Sequence, residues 1–160
     1  PRLYLLDLNE EMLLEGRKRL KKEKNIKYFI GNAEKLNFEN NFFDKYTISF
    51  CLRNVTEYLL SIKEAYRVLK PGGKYCCLEF STPKSSLVSS SYKIYKSKIL
   101  PLLGEIVAKD KNAYKYLSES IDLFPSQEVL SKNLRDCGFT KVKTINLFNG
   151  IVAIHTGYKL

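Results

Sequence analysis

The sequence predicts an α/β fold built on a largely parallel sheet, and three observations predict it. Short apolar runs alternate with segments of helical period along most of the chain. The last two apolar runs flank Asn149-Gly150, a hairpin signal that adds an antiparallel strand to the sheet. Hydrophobic residues make up 44% and charged residues 28% of the 160 residues, enough apolar surface for the core of one domain.

Each element has a local reason. Arg2 to Asp7 is an apolar run closed by an acid and reads as a buried strand. Asn9 is placed to cap the next helix, whose first turn carries Glu10 and Glu11 and which is expected to reach about Lys22. Ile26 to Ile30 forms a second strand, Gly31 to Phe42 a polar loop, and Lys45 to Phe50 a third strand. Leu59, Ile62, Tyr66 and Leu69 recur at helical spacing until Pro71-Gly72-Gly73 stops the helix. Lys74 to Phe80 is the fourth strand. After the serine-rich stretch Ser85 to Ser91, helical patterns run from about Tyr92 to Leu123, broken near Pro101 and Asp110. This insert, about 85–124, carries Tyr92, Tyr95, Tyr114, Tyr116 and Phe124 and is the natural cover over a crevice. Ser126 begins another helix that ends at Cys137-Gly138, and Lys141 to Phe148 and Ile151 to Tyr158 are the closing strands.

Composition narrows the partners. The net charge of +10 fits an anionic partner: nucleic acid, membrane, or a charged cofactor or protein. Arg17, Lys18, Arg19, Lys21, Lys22, Lys24 and Lys27 stand within eleven consecutive positions against one acid, Glu23. Such a run is either a solvated helix face or a contact for anionic lipid or nucleic acid. Ile99 to Val107 is too short, and too interrupted by Pro101, Gly104 and Glu105, to cross a bilayer. Cys51, Cys76, Cys77 and Cys137 include no CxxC pair, and the single His155 completes no zinc set. No metal is therefore expected, and a reducing compartment is the natural setting. The chain opens on Pro1 directly before a strand, so it is expected to begin inside a domain.

In open α/β sheets, ligands bind beyond the carboxyl ends of the strands. Asp7 closes the first strand, where an acid accepts both hydroxyls of a ribose; the plain alternative is a turn or helix-capping aspartate. Asn32-Ala33-Glu34 follows the second strand and could border an adenine, or form an ordinary turn. Ser49 to Asn54 ends the third strand and aims a hydroxyl, the Arg53 guanidinium and the Asn54 amide at one crevice. An arginine there commonly makes a structural ion pair instead. No glycine-rich phosphate loop and no credible Ser-His-Asp set is present, and His155 reads as a satisfied core or edge residue.

Taken together, Leu6-Asp7-Leu8-Asn9-Glu10-Glu11-Met12-Leu13, Gly31-Asn32-Ala33-Glu34 and Ser49-Phe50-Cys51-Leu52-Arg53-Asn54-Val55 resemble class I S-adenosylmethionine-dependent methyltransferases. More narrowly, the chain resembles the ubiquinone/menaquinone biosynthesis C-methyltransferase family. That likeness extends through Glu64 to Gly73, Leu78 to Ser81, Tyr116 to Ile121 and Asn149 to Lys159, essentially the whole chain. The resemblance implies a Rossmann-like sheet with helices on both faces, lacking the first strand and its glycine-rich loop. It implies S-adenosyl-L-methionine as cofactor, with Asp7 on its ribose, Asn32 and Ala33 beside its adenine and Ser49 close by. Arg53 and Asn54 would face the acceptor ring as catalytic residues. Cys51 stands where the family usually has Gly.

The function so implied is transfer of a methyl group to a ring carbon of a polyprenyl benzoquinol or naphthoquinol. Residues 1–160 alone are expected to be inactive. The partners implied are the quinol, a peripheral membrane contact, a second copy in a homodimer, and a quinone-biosynthesis complex, with no nucleic acid. The location would be the matrix side of the mitochondrial inner membrane in a eukaryote, or the cytoplasm in a bacterium. Two rivals stand beside this reading: a methyltransferase for a soluble small molecule, and a non-catalytic basic module for nucleic acid or membrane.

Overall fold

A computed structural model describes residues 2–83 and 111–160, in which the expected alternation forms two sheets. β1 (Leu3–Asp7) pairs in parallel with β2 (Ile26–Ile30), in register from Leu3↔Ile26 to Asp7↔Ile30. The crossover between them is α1 (Glu10–Arg19), whose N-terminus is capped by Asn9. The Asn9 Oδ1 accepts the N–H of Glu11 at 2.9 Å and of Met12 at 3.3 Å, satisfying donors that the first turn leaves free. The helix stops at Arg19, short of the expected Lys22, because Leu20 has left helical geometry at φ −102°. Lys21 to Lys24 therefore belong to the turn into β2.

The second sheet has the order β3-β4-β6-β5, built from β3 (Phe43–Ser49), β4 (Leu69–Phe80), β5 (Thr140–Leu147) and β6 (Val152–Tyr158). β3 and β4 are parallel, and β6 runs antiparallel to both β4 and β5. Between β3 and β4 lies α2 (Tyr58–Val68), which buries Ile62, Ala65 and Val68 against the sheet. Pro71-Gly72-Gly73, expected only to stop this helix, lies within the span of β4. Gly72 N–H donates to Lys159 O at 2.7 Å and Lys159 N–H to Gly73 O at 3.0 Å, which draws this segment into the ladder.

Of the helical insert, the described part is α3 (Lys111–Leu123); Tyr92 and Tyr95 lie outside the described residues. α4 (Gln127–Asp136) begins as expected, with Ser126 Oγ accepting the Val129 N–H. It ends before Gly138, whose φ of +101° and closeness to Tyr66 (2.9 Å from a built Cβ to the ring) both require glycine. The closing hairpin departs from a two-residue turn. Phe148–Gly150 form a 3₁₀ turn in which Phe148, Asn149 and Gly150 all have positive φ.

The two sheets lie side by side with the same polarity. At the amino ends of the strands, Tyr4 of β1 packs edge-on against Phe43 of β3 at 5.3 Å between ring centres, with Phe38 and Phe42 filling around it. No described strand pairs with the second edge of β1 or of β3. The resemblance noted above implies a sheet that lacks its first strand, and these two edges stand without a described partner. The main core is on the other side of β3, where Leu52, Ile62, Leu69, Tyr75, Cys77, Leu130, Leu134 and Phe139 pack together. Shortening one such leucine to alanine typically costs about 2–5 kcal/mol.

Candidate active site

The carboxyl ends of β1, β3 and β4 converge on one region. Asp7 ends β1, and its Oδ1 accepts the Asn9 N–H at 2.8 Å, which is the turn-capping role. Its other oxygen makes no hydrogen bond among the described residues, so acceptor capacity remains for a diol. Ser49 ends β3 and is exposed. Cys51, two residues on, reports what surrounds it. Burial is the main cause raising its thiol pKa, followed by the charges of Asp7 from β1 and Glu79 from β4, with Arg53 acting in the opposite sense. Both carboxylates are thus close enough to act on one sulfur.

Asn32 and Ala33 follow β2 and are half-buried. The Asn32 amide is largely committed to the turn alternative. Its Oδ1 accepts the Glu34 N–H at 2.8 Å and its Nδ2 donates to Glu34 Oε2 at 2.9 Å. Glu34 also accepts the backbone N–H of Glu57, and that bond, with Asn32 next, lowers its carboxyl pKa. The loop is thereby fastened to the residue just ahead of α2.

Arg53 sits in the 3₁₀ turn Leu52–Asn54, and its side chain is only 9% exposed. Its Nη1 donates to Glu79 Oε1 at 2.8 Å and to Phe50 O at 2.8 Å, while its Nε reaches Ser120 Oγ of α3 at 3.3 Å. Its backbone N–H points to Glu79 Oε2 at 3.3 Å, and the guanidinium lies over the Phe80 ring. The structural ion pair is therefore real, and it leaves a group over. Nη2 makes no hydrogen bond among the described residues, so its two N–H donors remain available. Asn54 is exposed, and its Oδ1 accepts from Tyr116 of α3 at 3.3 Å.

Glu79 and Ser120 hold Arg53 in the candidate site, and sequence reasoning did not single them out. The available signal for Glu79 was one acid in an otherwise apolar strand, Lys74 to Phe80. A buried carboxylate needs a cation, and Arg53 was the cation in need of a partner. Ser120 had no signal, since a serine on a helix is ordinary.

Between the Arg53 turn and α3 opens a cavity of about 290 Å³. Arg53, Thr56, Tyr116, Glu119 and Ser120 bring polar groups to its lining, and Leu52, Val55, Tyr58 and Phe124 apolar surface. The mix suits an amphipathic ligand, with apolar surface on one side and hydrogen-bonding groups on the other. His155 is elsewhere, at 2% exposure, with Nε2 against Gln127 O at 3.3 Å and Nδ1 unpartnered among the described residues. Burial lowers its pKa, and the Gln127 carbonyl partly offsets that. It is a core residue, although only one ring nitrogen is satisfied.

Comparison with known proteins agrees with this geometry. The model of the ubiE/COQ5 methyltransferase family matches residues 2–159. The chain is 48% identical over 161 residues to the ubiquinone/menaquinone biosynthesis C-methyltransferase UbiE of Rickettsia bellii, covering 99% of this chain and 65% of that protein. It is 47% identical to the mitochondrial 2-methoxy-6-polyprenyl-1,4-benzoquinol methylase of Gallus gallus, again over 99% of this chain but 52% of that protein. The chain thus spans less than two thirds of the length of these relatives. Among solved structures, phosphoethanolamine N-methyltransferase 2 of Haemonchus contortus, in complex with S-adenosyl-L-methionine, superimposes with a TM-score of 0.71 at 16% identity, over 99% of this chain and 43% of that one. A SAM-dependent methyltransferase of Thermotoga maritima gives 0.67 at 21% identity, over 99% and 73%. These likenesses establish the class I methyltransferase fold. The strand order, the acid at the end of β1 and a family match from residue 2 to residue 159 lead to one conclusion: the chain belongs to the ubiE/COQ5 methyltransferase family.

Proposed function

We propose that the protein is an S-adenosyl-L-methionine-dependent C-methyltransferase that methylates a ring carbon of a polyprenyl benzoquinol or naphthoquinol. The observation that carries this reading is the Arg53 guanidinium, held by three acceptors at the wall of a cavity of mixed polar and apolar lining, with Nη2 unbonded among the described residues. When bound, the cofactor supplies a methyl group already activated by a sulfonium, so no metal or covalent enzyme intermediate is called for. Asp7 would hold the ribose through its unused oxygen, Ser49 and Ala33 would line the same site, and Asn32 would have to share its amide with Glu34.

The chain's own contribution is positioning and charge. The cavity holds the ring with its nucleophilic carbon in line with the methyl group, which removes much of the entropic barrier. Ring attack becomes easier as the phenol passes its proton to water at the cavity mouth, and Arg53 Nη2 would donate to the phenolate oxygen as that charge develops. S-adenosylhomocysteine leaves, and transfer of the ring proton back to the oxygen by way of water restores the aromatic phenol. Arg53 stays protonated and is a poor base. Asn54 orients the acceptor from the rim of the turn, and Tyr116 fixes the Asn54 carbonyl.

A polyprenyl substrate implies peripheral contact with a membrane, and a homodimer or a quinone-biosynthesis complex is consistent with it. In a eukaryote this work is done on the matrix side of the mitochondrial inner membrane, and in a bacterium in the cytoplasm. The test is mass spectrometry of quinone intermediates in cells lacking the gene. A polyprenyl quinone short of one ring methyl should accumulate and disappear on complementation. An unchanged quinone profile would overturn the reading.

A further inference from the structure

The charge of this molecule is sorted along its strand axis. The candidate site lies at the carboxyl ends, and there the acids Asp7, Glu10, Glu11, Glu34 and Glu57 gather. The opposite rim, where β1 to β5 begin and α1 and α2 end, is basic. It carries Lys21, Lys22 and Lys24 ahead of β2, Lys45 in β3, Lys70 in β4 and Lys141 in β5, all exposed. Acids are fewer on this rim: Glu23, Glu39, Asp44 and Asp136, of which Asp44 pairs with Lys70 and Asp136 with Lys132. On α1, Glu15 takes up Arg19 at 2.9 Å and Lys18 at 3.8 Å, whereas Lys21, Lys22 and Lys24 have no partner among the described residues.

Four further cations on the rim are fixed over aromatic faces. Lys27 lies over Tyr4, Arg17 over Tyr28, Lys74 over Tyr158 and Lys159 over Tyr66, at 4.8–5.8 Å from the ring centres. Each such contact both holds the cation and covers the ring. A single-stranded nucleic acid needs open aromatic faces on which bases stack, and these rings are taken. An anionic bilayer would draw in the basic rim and turn the cavity mouth away from the lipid. That orientation conflicts with delivery of a membrane-borne quinol, a point that rests on the function proposed above.

We propose that the amino-end rim is a docking surface for the acidic face of a partner protein, which leaves the carboxyl-end cavity free to meet its substrate. Exposed lysines give such a surface long-range attraction and fast association more than tight packing. At physiological salt the attraction reaches about 8 Å, so it acts where the rim and its partner come close.

The test uses a labelled poly-L-glutamate peptide as probe, followed by fluorescence anisotropy at physiological salt. Two triple variants with the same net charge are compared, after circular dichroism confirms that both fold. Lys21→Glu/Lys22→Glu/Lys24→Glu alters the rim, and Lys35→Glu/Lys115→Glu/Lys143→Glu alters other surfaces. The rim variant should bind about tenfold or more weakly than the control variant, which is about 1.4 kcal/mol. Equal loss in both variants would reduce the effect to net charge and overturn the proposal. So would tighter rim-dependent binding to phosphatidylcholine vesicles containing phosphatidylglycerol, or to single-stranded RNA, than to the peptide. Because the readout is binding, its outcome is independent of whether the quinol reading survives the mass-spectrometric test.

Discussion

Arg53 and Glu79 meet at 2.8 Å with side chains 9% and 1% exposed, and this pair joins the turn after β3 to the end of β4. One acid thereby fixes the guanidinium that bounds the cavity, while Ser120 ties the same group to α3. Structural and chemical duties rest on one side chain, and they are separable by experiment.

Arg53→Ala leaves a buried carboxylate with no cation, a change expected to lower the unfolding free energy by about 3–5 kcal/mol. Arg53→Ala with Glu79→Gln removes the stranded charge and should recover much of that loss in denaturant curves. Methyl transfer should stay low in both, because Nη2 is absent in both. Full turnover in the stabilised double variant would confine Arg53 to the ion pair.

Asp7→Asn keeps a side-chain oxygen for the Asn9 N–H and so preserves the turn, while removing the charge that a ribose diol would meet. Affinity for S-adenosyl-L-methionine in the native protein should fall by roughly 10- to 150-fold, the equivalent of about 1.5–3 kcal/mol for hydrogen bonds to a charged group. Calorimetry with an unchanged dissociation constant would exclude Asp7 from the cofactor site.

The chain has one histidine, so stability between about pH 7.5 and 5.5 reports mainly on His155. Its folded pKa lies below 6.5 through burial, so the unfolded state binds its proton more readily. Stability is therefore full above pH 6.5 and is lost as pH falls toward the folded value. Thermal melts should show this decline in the parent and a flatter profile in His155→Gln. Glu34 and Glu64, held below 4.5, titrate under this window.

Among the described residues no strand pairs with the second edges of β1 and β3, so their amides and carbonyls are offered to another chain. Residues 1–160 should self-associate as concentration rises in size-exclusion chromatography with light scattering. Thr47→Lys places a charge on the exposed side of β3 and should shift the population toward monomer. A parent that stays monomeric at high concentration would mean that these edges are shielded.

Legibility followed locality. Asn9, Ser126 and Gly138 act within one turn of themselves, and each was readable from spacing alone. The placement of Asp7 and Ser49 at the carboxyl ends of β1 and β3 was readable, because an apolar run closed by a polar residue marks where a buried strand stops. The Glu79 partner of Arg53 was not, since 26 positions separate the two and no local pattern encodes the meeting. Asn32 shows a different shortfall. Its place just past the second strand was readable, but the bond to Glu34 that occupies its amide emerged only with the loop's geometry. The Pro71-Gly72-Gly73 segment misled for a similar reason: its ladder partner, Lys159, lies at the far end of the chain.

The two sheets also differ in how firmly they should keep their hydrogens. β1 and β2 form a two-stranded unit with one helix, an arrangement near the limit of independent stability, whereas β4 and β6 are each flanked on both sides. Amide exchange should therefore be faster across Leu3–Asp7 and Ile26–Ile30 than across Tyr75–Leu78 and Ala153–Thr156. The half that carries Asp7 would then open and close many times while the half that carries Arg53 stays shut. Ligand held across the split would be felt chiefly as slowed exchange in the weaker half.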